Sequence, residues 1–320
     1  MDIAIVGAGP TGLYAAYYAG FRGLSVAVID ALEQPGGQMA ALYPEKQVYD
    51  VAGFPEVRAQ DLVDALVAQA AKAKPDYLLG HQAITLTESD QGVEITTSRG
   101  AVVSARAVLI TGGIGSFSPR PLPQAAGYEN RGLKYFVPKP GELAGADVLI
   151  VGGGDSAVDW ALSLEPVAHS VTLVHRRPRF RAHDYSVQLL HDSSVRLCMP
   201  FEVRAVRGEQ QIEEVEIANT VSGAGEVLKA DTVVAALGFL SNIGPIMQWG
   251  LALRGRHLLV DRSMRTNFSR VFAAGDIADY DGKVRLISVG FGEAALAINN
   301  LAPMVDSCLQ TVPGHSSDAL

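Results

Sequence analysis

Residues 2–12 read DIAIVGAGPTG, in which a short apolar run, Ile3–Val6, leads into a Gly-x-Gly-x-x-Gly turn. The pattern predicts a helix over Leu13–Ala19, and a second apolar run, Leu24–Ile29, ends on Asp30. This order is that of a βαβ unit, whose glycines make the turn and let a pyrophosphate approach. The free N–H groups at the start of the helix would hold that pyrophosphate. The segment therefore predicts a dinucleotide site.

The acid at the end of the second run strengthens this prediction. Asp30 follows Gly7 by 23 positions, where a carboxylate can accept hydrogen bonds from an adenosine ribose. A tight turn in an ordinary α/β protein is the alternative, but it requires neither the second strand nor the acid. The predicted contacts in this first turn are Gly7, Gly9, Thr11, Gly12 and Asp30.

The pattern repeats in residues 147–157, which read DVLIVGGGDSA, with a predicted helix over Val158–Leu164 and a strand over Val171–Val174. Basic residues occupy the position of the acid in this second copy, where they would supply charge-assisted donors to a 2′-phosphate. We therefore predict an NADP(H) site, against the alternative of a solvated charge run. Its predicted contacts are Gly152, Gly154, Asp155, Ser156, Ala157, His175, Arg176, Arg177 and Arg181.

Two dinucleotide folds in one chain imply two nucleotides, and a flavin with a nicotinamide is one plausible pair. Residues 271–276, VFAAGD, place Asp276 where an aspartate can bind the ribitol of FAD. Residues 290–295, GFGEAA, are predicted to open a helix whose positive end faces the flavin.

The fold class predicted is α/β, with two Rossmann-like, three-layer dinucleotide-binding domains. Residues 1–114 and 238–320 would form a discontinuous FAD domain, into which an NADP(H) domain of residues 115–237 is inserted. Within the inserted domain, residues 201–233 alternate as a small antiparallel addition. A further helix is predicted over Ala59–Ala73.

Composition excludes several other classes of protein. The 320 residues are 48% hydrophobic and carry a formal charge of −8, which argues against a general nucleic-acid binder. No apolar run reaches the ~18 residues of a membrane span, and the chain opens directly on a strand, so we expect no signal peptide. Cys198 and Cys308 are too far apart for a Cys-x-x-Cys redox or zinc pair. We expect a soluble cytoplasmic protein without a metal site.

Long segments of the chain carry a family resemblance. Residues 36–55, GGQMAALYPEKQVYDVAGFP, residues 152–160, GGGDSAVDW, and residues 175–183, HRRPRFRAH, resemble the low-molecular-weight thioredoxin reductase family. They are most similar to its branch of ferredoxin/flavodoxin–NADP⁺ reductases. A thioredoxin reductase carries a Cys-x-x-Cys shortly before the second glycine turn, where this chain reads Tyr135-Phe136-Val137-Pro138. Reduction of thioredoxin is therefore not expected.

The resemblance implies roles for individual residues. Tyr43 would stack on one face of the flavin ring, and residues 311–317 would cross to the partner subunit of a homodimer, where His315 covers the other face. An upstream aromatic position of some relatives is Met304 here, so this stacking would depend on His315. A half-buried loop tyrosine and a solvated tail are the alternatives. The implied FAD contacts are Asp30, Gln38, Tyr43, Ala83, Phe117, Asp276 and Ser317.

The implied activity transfers a hydride from NADPH to flavin N5 and then single electrons to ferredoxin or flavodoxin. An NAD(P)H oxidase, a quinone- or disulfide-type reductase, and a non-catalytic flavin-bound sensor are the alternatives. Because such partners are usually acidic, docking on this acidic protein needs a local positive field. Outside the arginine cluster, the candidates for that field are Arg131, Lys134 and Lys139.

Overall fold

The computed structural model describes residues 1–313, except for the side chains of Ser116, Phe117 and Ser241. The chain divides into two compact units. The first contains Met1–Ser116 and the segment from Ser241 onward, and the second contains Phe117–Leu240. None of the described helices is long and apolar enough to cross a membrane.

The first segment of the first unit alternates strands with three helices. Its strands are β1 (Ile3–Val6), β2 (Val26–Asp30), β3 (Gln47–Val48), β4 (Val57–Arg58), β5 (Asp76–Leu79), β6 (Ala83–Ser89), β7 (Gly92–Thr97), β8 (Val102–Ala105) and β9 (Ala107–Ile110). Its helices are α1 (Pro10–Phe21), α2 (Gly37–Leu42) and α3 (Ala59–Ala70).

The second unit is entered and left through two short strands that pair with each other, β10 (Ser116–Pro119) and β19 (Phe239–Asn242). The strands between them are β11 (Leu133–Lys134), β12 (Asp147–Gly152), β13 (Ser170–Val174), β14 (Arg196–Cys198), β15 (Phe201–Arg207), β16 (Glu214–Asn219), β17 (Gly225–Lys229) and β18 (Thr232–Ala236). Its helices are α4 (Asp155–Leu164) and α5 (Asp184–His191).

The chain then returns to the first unit. The last elements are β20 (Leu253–Arg254), β21 (His257–Leu259), β22 (Val271–Ala273), β23 (Ala278–Asp279) and α6 (Ile287–Val305).

A five-stranded parallel sheet, in the order β22-β9-β1-β2-β5, forms the centre of the first unit. Alternate side chains of β1 enter two different cores, as the two-residue period of a strand requires. Ile3 and Ile5 pack with α1, α3 and α6, whereas Ala4 and Val6 pack with the antiparallel sheet β6-β7-β8. The sheet therefore lies between a helical layer and a second sheet.

The second unit has the same plan, with a parallel sheet in the order β11-β18-β12-β13-β14. One core joins Leu149, Val151 and Val174 to the antiparallel sheet β15-β16-β17, while α4 packs on β12 and β13. The predicted class of two Rossmann-like α/β folds is confirmed. The antiparallel addition ends with β17, because Thr232 already belongs to the parallel sheet.

One helix begins earlier than predicted. The predicted opening of a helix at Gly290 is wrong, because α6 begins at Ile287. A distant loop supports this earlier start: Ser288 Oγ donates to the Asp50 carbonyl oxygen at 2.8 Å, and the Ile287 N–H points to Asp50 Oδ2 at 3.4 Å. Gly290 lies inside the helix, where it serves the close packing described below.

Two candidate dinucleotide sites

The three glycines of the first turn meet two different requirements. A Cβ on Gly12 would lie 1.9 Å from the Gly7 carbonyl oxygen, and one on Gly7 would lie 2.5 Å from the Thr111 carbonyl oxygen. These two glycines therefore permit close backbone packing. Gly9, the N-cap of α1, has nothing within 4 Å of the place where its Cβ would be. The turn thus leaves an open cradle at a helix N-terminus, which fits a pyrophosphate.

Asp30 ends β2 beside this turn and is fixed by two backbone donors. Its Oδ2 accepts from the Ala8 N–H at 2.5 Å, and its Oδ1 accepts from the Leu32 N–H at 2.8 Å. Burial raises the pKa of Asp30, against the two hydrogen bonds, which lower it. Each carboxylate oxygen retains a further lone pair, so the oriented carboxylate can still accept from ribose hydroxyls.

The start of α2 closes on the same turn. The Gly36 N–H donates to the Ala8 carbonyl oxygen at 2.8 Å, and a Cβ on Gly37 would lie 3.0 Å from the Gly9 Cα. The next residue, Gln38, has its Nε2 3.5 Å from where a Cβ of Gly113 would be. The structure therefore brings the predicted contact Gln38 to the loop after β9, beside the glycine turn.

The side chains of Tyr43 and Asp276 are near enough to interact electrostatically. Burial, followed by the negative charges of Asp276 and Asp50, raises the pKa of Tyr43 to about 12. The Tyr43 ring is half-buried, with the Lys46 ammonium 5.6 Å from its centroid. Tyr43 is therefore a neutral aromatic side chain in the neighbourhood of the Asp276 carboxylate.

Asp276 itself is half-buried, and its carboxylate makes no hydrogen bond or ion pair with any described residue. Burial raises its pKa, while the positive charges of Lys283 and Arg285 lower it. A partly buried carboxylate without a protein partner usually has another partner, such as a ligand or water. The donor set of a ribitol chain, which is all hydroxyls, fits this acceptor.

The turn before Asp276 packs directly on α1. The Thr11 Oγ1 lies 2.9 Å from where a Cβ of Gly275 would be, and 2.5 Å from that of Gly290. The Gly275 N–H donates to the buried Glu293 Oε2 at 2.8 Å. Glu293 was not among the predicted site residues, and its one signal in the sequence is that it is the single charged residue of α6.

The remaining predicted contacts of this site are Ala83, Phe117, His315 and Ser317. Ala83 begins β6 and is buried in the core on one face of the sheet. The side chain of Phe117, and all of His315 and Ser317, lie outside the described residues. Their roles remain predictions.

The second glycine turn repeats the backbone but not its surroundings. A Cβ on Gly152 would lie 2.4 Å from the Ala236 carbonyl oxygen and 2.8 Å from the Ala157 Cβ, while Gly154 is open. A Cβ on Gly153 would lie 2.1 Å from His175 Cε1. The His175 ring therefore leaves room only for glycine at position 153. Gly154, which is open, again forms a cradle at a helix N-terminus.

His175 is placed beneath the turn rather than at the surface. It is 9% exposed, its ring stacks on Phe180 with centroids 5.5 Å apart, and its Nε2 is hydrogen-bonded to the Arg179 carbonyl oxygen at 3.1 Å. Burial lowers the pKa of His175, and the positive charges of the neighbouring arginines also lower it. The hydrogen bond to the Arg179 carbonyl oxygen opposes this shift. The neutral ring supports Gly153 from below, and its contact with NADP(H) remains a prediction.

The arginine segment is tied to this turn. The Arg181 N–H donates to the Gly153 carbonyl oxygen at 2.6 Å, and the His183 N–H donates to Asp155 Oδ1 at 2.9 Å. Arg176, Arg177 and Arg181 are exposed, and none forms an ion pair with a described residue. Three guanidinium groups without acidic partners fit the recognition of a phosphate monoester.

Other residues of the second site are divided between packing and exposure. Ser156 is exposed in the first turn of α4, and Ala157 is buried. The Asp155 carboxylate holds the arginine segment, a role that the glycine pattern did not predict. Among the docking candidates, Arg131 donates to the Gly127 and Glu209 carbonyl oxygens and lies 5.0 Å from the Tyr128 ring centroid. These bonds commit Arg131 to its own unit.

The cysteines fit the absence of a dithiol. Cys198 is buried and Cys308 is exposed, and both are free. Burial raises the pKa of the Cys198 thiol, which disfavours the reactive thiolate. Within residues 1–313, no group of three or more His, Cys, Asp and Glu side chains is placed to hold a metal ion.

Known proteins are similar to this chain over nearly its whole length. The family description of pyridine nucleotide-disulphide oxidoreductases matches residues 1–294. The ferredoxin–NADP reductase of a Nocardioides species is 58% identical, covering 99% of this chain and 97% of that protein. That of Frankia alni is 57% identical, covering 98% of each. The chain belongs to the ferredoxin–NADP reductases of the pyridine nucleotide-disulphide oxidoreductase family.

The resemblance predicted from the sequence is thereby confirmed, and the chain is an oxidoreductase. Among solved structures, the thioredoxin reductase of T. acidophilum is similar, with a TM-score of 0.82 and 25% identity over 96% of this chain and 98% of that one. This chain thus has the fold of that thioredoxin reductase.

Proposed function

We propose that this chain is an FAD-dependent ferredoxin–NADP⁺ reductase. The main support for this proposal is the contrast between its two glycine turns. One turn has a fixed carboxylate, Asp30, and the other has arginines that form no ion pair with a described residue. A carboxylate suits an unphosphorylated ribose, and arginines suit a 2′-phosphate. The first unit therefore holds FAD and the second holds NADP(H). The relatives at 57–58% identity support ferredoxin as the redox partner.

The cofactor supplies the chemistry, and the chain supplies its binding and orientation. Bound FAD would supply the capacity to take a hydride from NADPH and to release the two electrons singly to a small redox protein. Gly9 and the helix N-terminus hold the pyrophosphate, Asp30 the adenosine ribose, and Asp276 the ribitol. Tyr43 supplies an aromatic face that is un-ionised at neutral pH, as an ordinary tyrosine is, and burial raises its pKa further, to about 12.

The finer assignments concern partners and compartment. Flavodoxin is a second acceptor class, and the homodimer would place His315 from one subunit over the flavin of the other. The proposed compartment is the cytoplasm, since the two cysteines are free thiols.

A spectroscopic experiment tests the function. The purified protein should be yellow, lose its flavin absorbance on anaerobic addition of NADPH, and regain it on addition of ferredoxin with cytochrome c as the reporter. Bleaching by NADPH without reoxidation by ferredoxin or flavodoxin would favour an oxidase or a quinone- or disulfide-type reductase. A bound flavin that NADPH does not reduce would favour a non-catalytic sensor.

A further inference from the structure

A buried ion pair lies behind the predicted ribitol contact. Lys283 and Glu293 are only 2% and 3% exposed in their side chains, and Lys283 Nζ lies 2.5 Å from Glu293 Oε1. Charges in such a place are costly, and the pair often contributes little net stability. A role other than stability should therefore be sought in what the pair contacts.

The two oxygens of Glu293 have separate partners. Oε1 accepts from the Tyr280 hydroxyl at 2.6 Å as well as from Lys283, whereas Oε2 accepts from the Gly275 N–H at 2.8 Å. The Lys283 ammonium also lies 5.5 Å from the Tyr280 ring centroid. Oε1 thus accepts hydrogen bonds from the lysine and the tyrosine, and Oε2 accepts one from the backbone of Gly275.

The backbone held in this way is a tight turn. Gly275 has φ = +79°, a conformation that disfavours other residues, and its Cα side faces Thr11 in the first turn of α1. The turn leads directly into Asp276, whose carboxylate makes no hydrogen bond or ion pair with a described residue. The bond from Gly275 to Glu293 therefore determines where this carboxylate is presented.

We infer that Glu293 is a positioning residue of the flavin site: it fixes the Gly275 turn that presents Asp276, and Lys283 is its buried counter-charge. This inference rests on the proposed binding of FAD to the first unit. It assigns Glu293 no contact with the flavin. The expected consequence of losing the Gly275 bond is weaker FAD binding, beyond any loss of stability.

Two matched double variants separate the hydrogen bond from the charges. In E293Q/K283M both charges are removed, but the glutamine oxygen can still accept from Gly275 and its amide can donate to Tyr280. In E293M/K283M the side chain has a similar size and no such acceptor. We expect the dissociation constant of FAD, measured by fluorescence quenching on the apoprotein, to stay within threefold of the wild type in the first. It should rise about tenfold in the second, as expected for an unpaired buried N–H.

The visible circular dichroism of bound flavin, which reports its surroundings, should change in E293M/K283M only. Equal FAD affinities in the two double variants would overturn the inference, even if both unfold at lower denaturant concentration. If E293M/K283M does not fold, E293D takes its place, because it keeps the charge but withdraws the carboxylate by one methylene. An unchanged FAD affinity in E293D would also overturn the inference.

A control for general destabilisation lies in the other unit. Asp147 pairs with Lys229 at 3.0 Å and is 11% exposed in its side chain, so D147N should lower stability and leave FAD affinity unchanged. Equal weakening of FAD binding by D147N would show that Glu293 acts through stability alone, against the inference. A wild-type protein that binds no FAD would refute the proposed function itself.

Discussion

The two glycine turns have the same backbone order but are supported in different ways. In the first, the strand-end residue is Asp30, whose short carboxylate accepts the N–H of Ala8. In the second, it is His175, whose ring occupies the space that a Cβ on Gly153 would need. The middle residue of the turn can therefore be alanine in one copy and must be glycine in the other. The strand-end residue therefore shapes the turn, and we propose that it also selects the ligand.

The largest effect should follow from Asp30→Ala. The substitution removes an acceptor for two backbone N–H groups and for the ribose, and hydrogen bonds to charged groups are worth about 1.5–3 kcal/mol each. We expect FAD affinity, measured by reconstitution of the apoprotein, to fall about a hundredfold, which is about 2.7 kcal/mol. Binding of 2′,5′-ADP should be unchanged. A variant that purifies with full flavin would show that Asp30 does not bind the adenosine ribose of FAD.

The next largest effect should follow from changing Arg176 and Arg177 to Ala together. Loss of two charge-assisted donors should raise the KM for NADPH about fiftyfold and that for NADH less than threefold. Steady-state reduction of a small artificial acceptor measures both constants. FAD content should remain at the wild-type level. Equal effects on the two coenzymes would show that these arginines do not read the 2′-phosphate.

Gly153→Ala tests whether the histidine ring requires the glycine. Its Cβ would overlap the ring atoms of His175, and overpacking of this kind costs about 1–3 kcal/mol. We expect denaturant unfolding to show a loss of about 2 kcal/mol. In a His175→Ala background, where the ring is absent, the same change should cost clearly less. An equal cost in both backgrounds would separate the glycine from the histidine.

The smallest effect should be a dependence of stability on pH. Because the pKa of His175 is lowered in the folded protein, the unfolded chain binds a proton first as the pH falls. The contribution of the neutral ring is complete above its unfolded pKa of about 6.5 and is lost as the pH falls toward and through the folded value. The difference in unfolding free energy between the wild type and H175F should therefore shrink from pH 7.5 to pH 5. A constant difference would contradict the burial of a neutral ring.

The two strand–glycine–helix units could be predicted from the order of residues along the chain. In each unit the apolar strands, the glycines and the strand-end residue lie within about thirty residues of one another. Local geometry therefore suffices to bring them together. The same pattern predicted α1, β2, β12, α4 and β13, each with bounds within a few residues of those observed. Glycine spacing also distinguished the turns from the rest of the chain, because only a residue without a side chain fits positions 7, 12 and 152.

The surroundings of those units are formed by hydrogen bonds between segments that are distant in the chain. The start of α6 is hydrogen-bonded to Asp50, the arginine segment to Asp155, and the Gly275 turn to Glu293. Each of these bonds joins groups that no helical or strand period relates. Polar side chains of this kind take whichever donors the packed elements bring within about 3 Å, so their partners become known only when the elements are assembled.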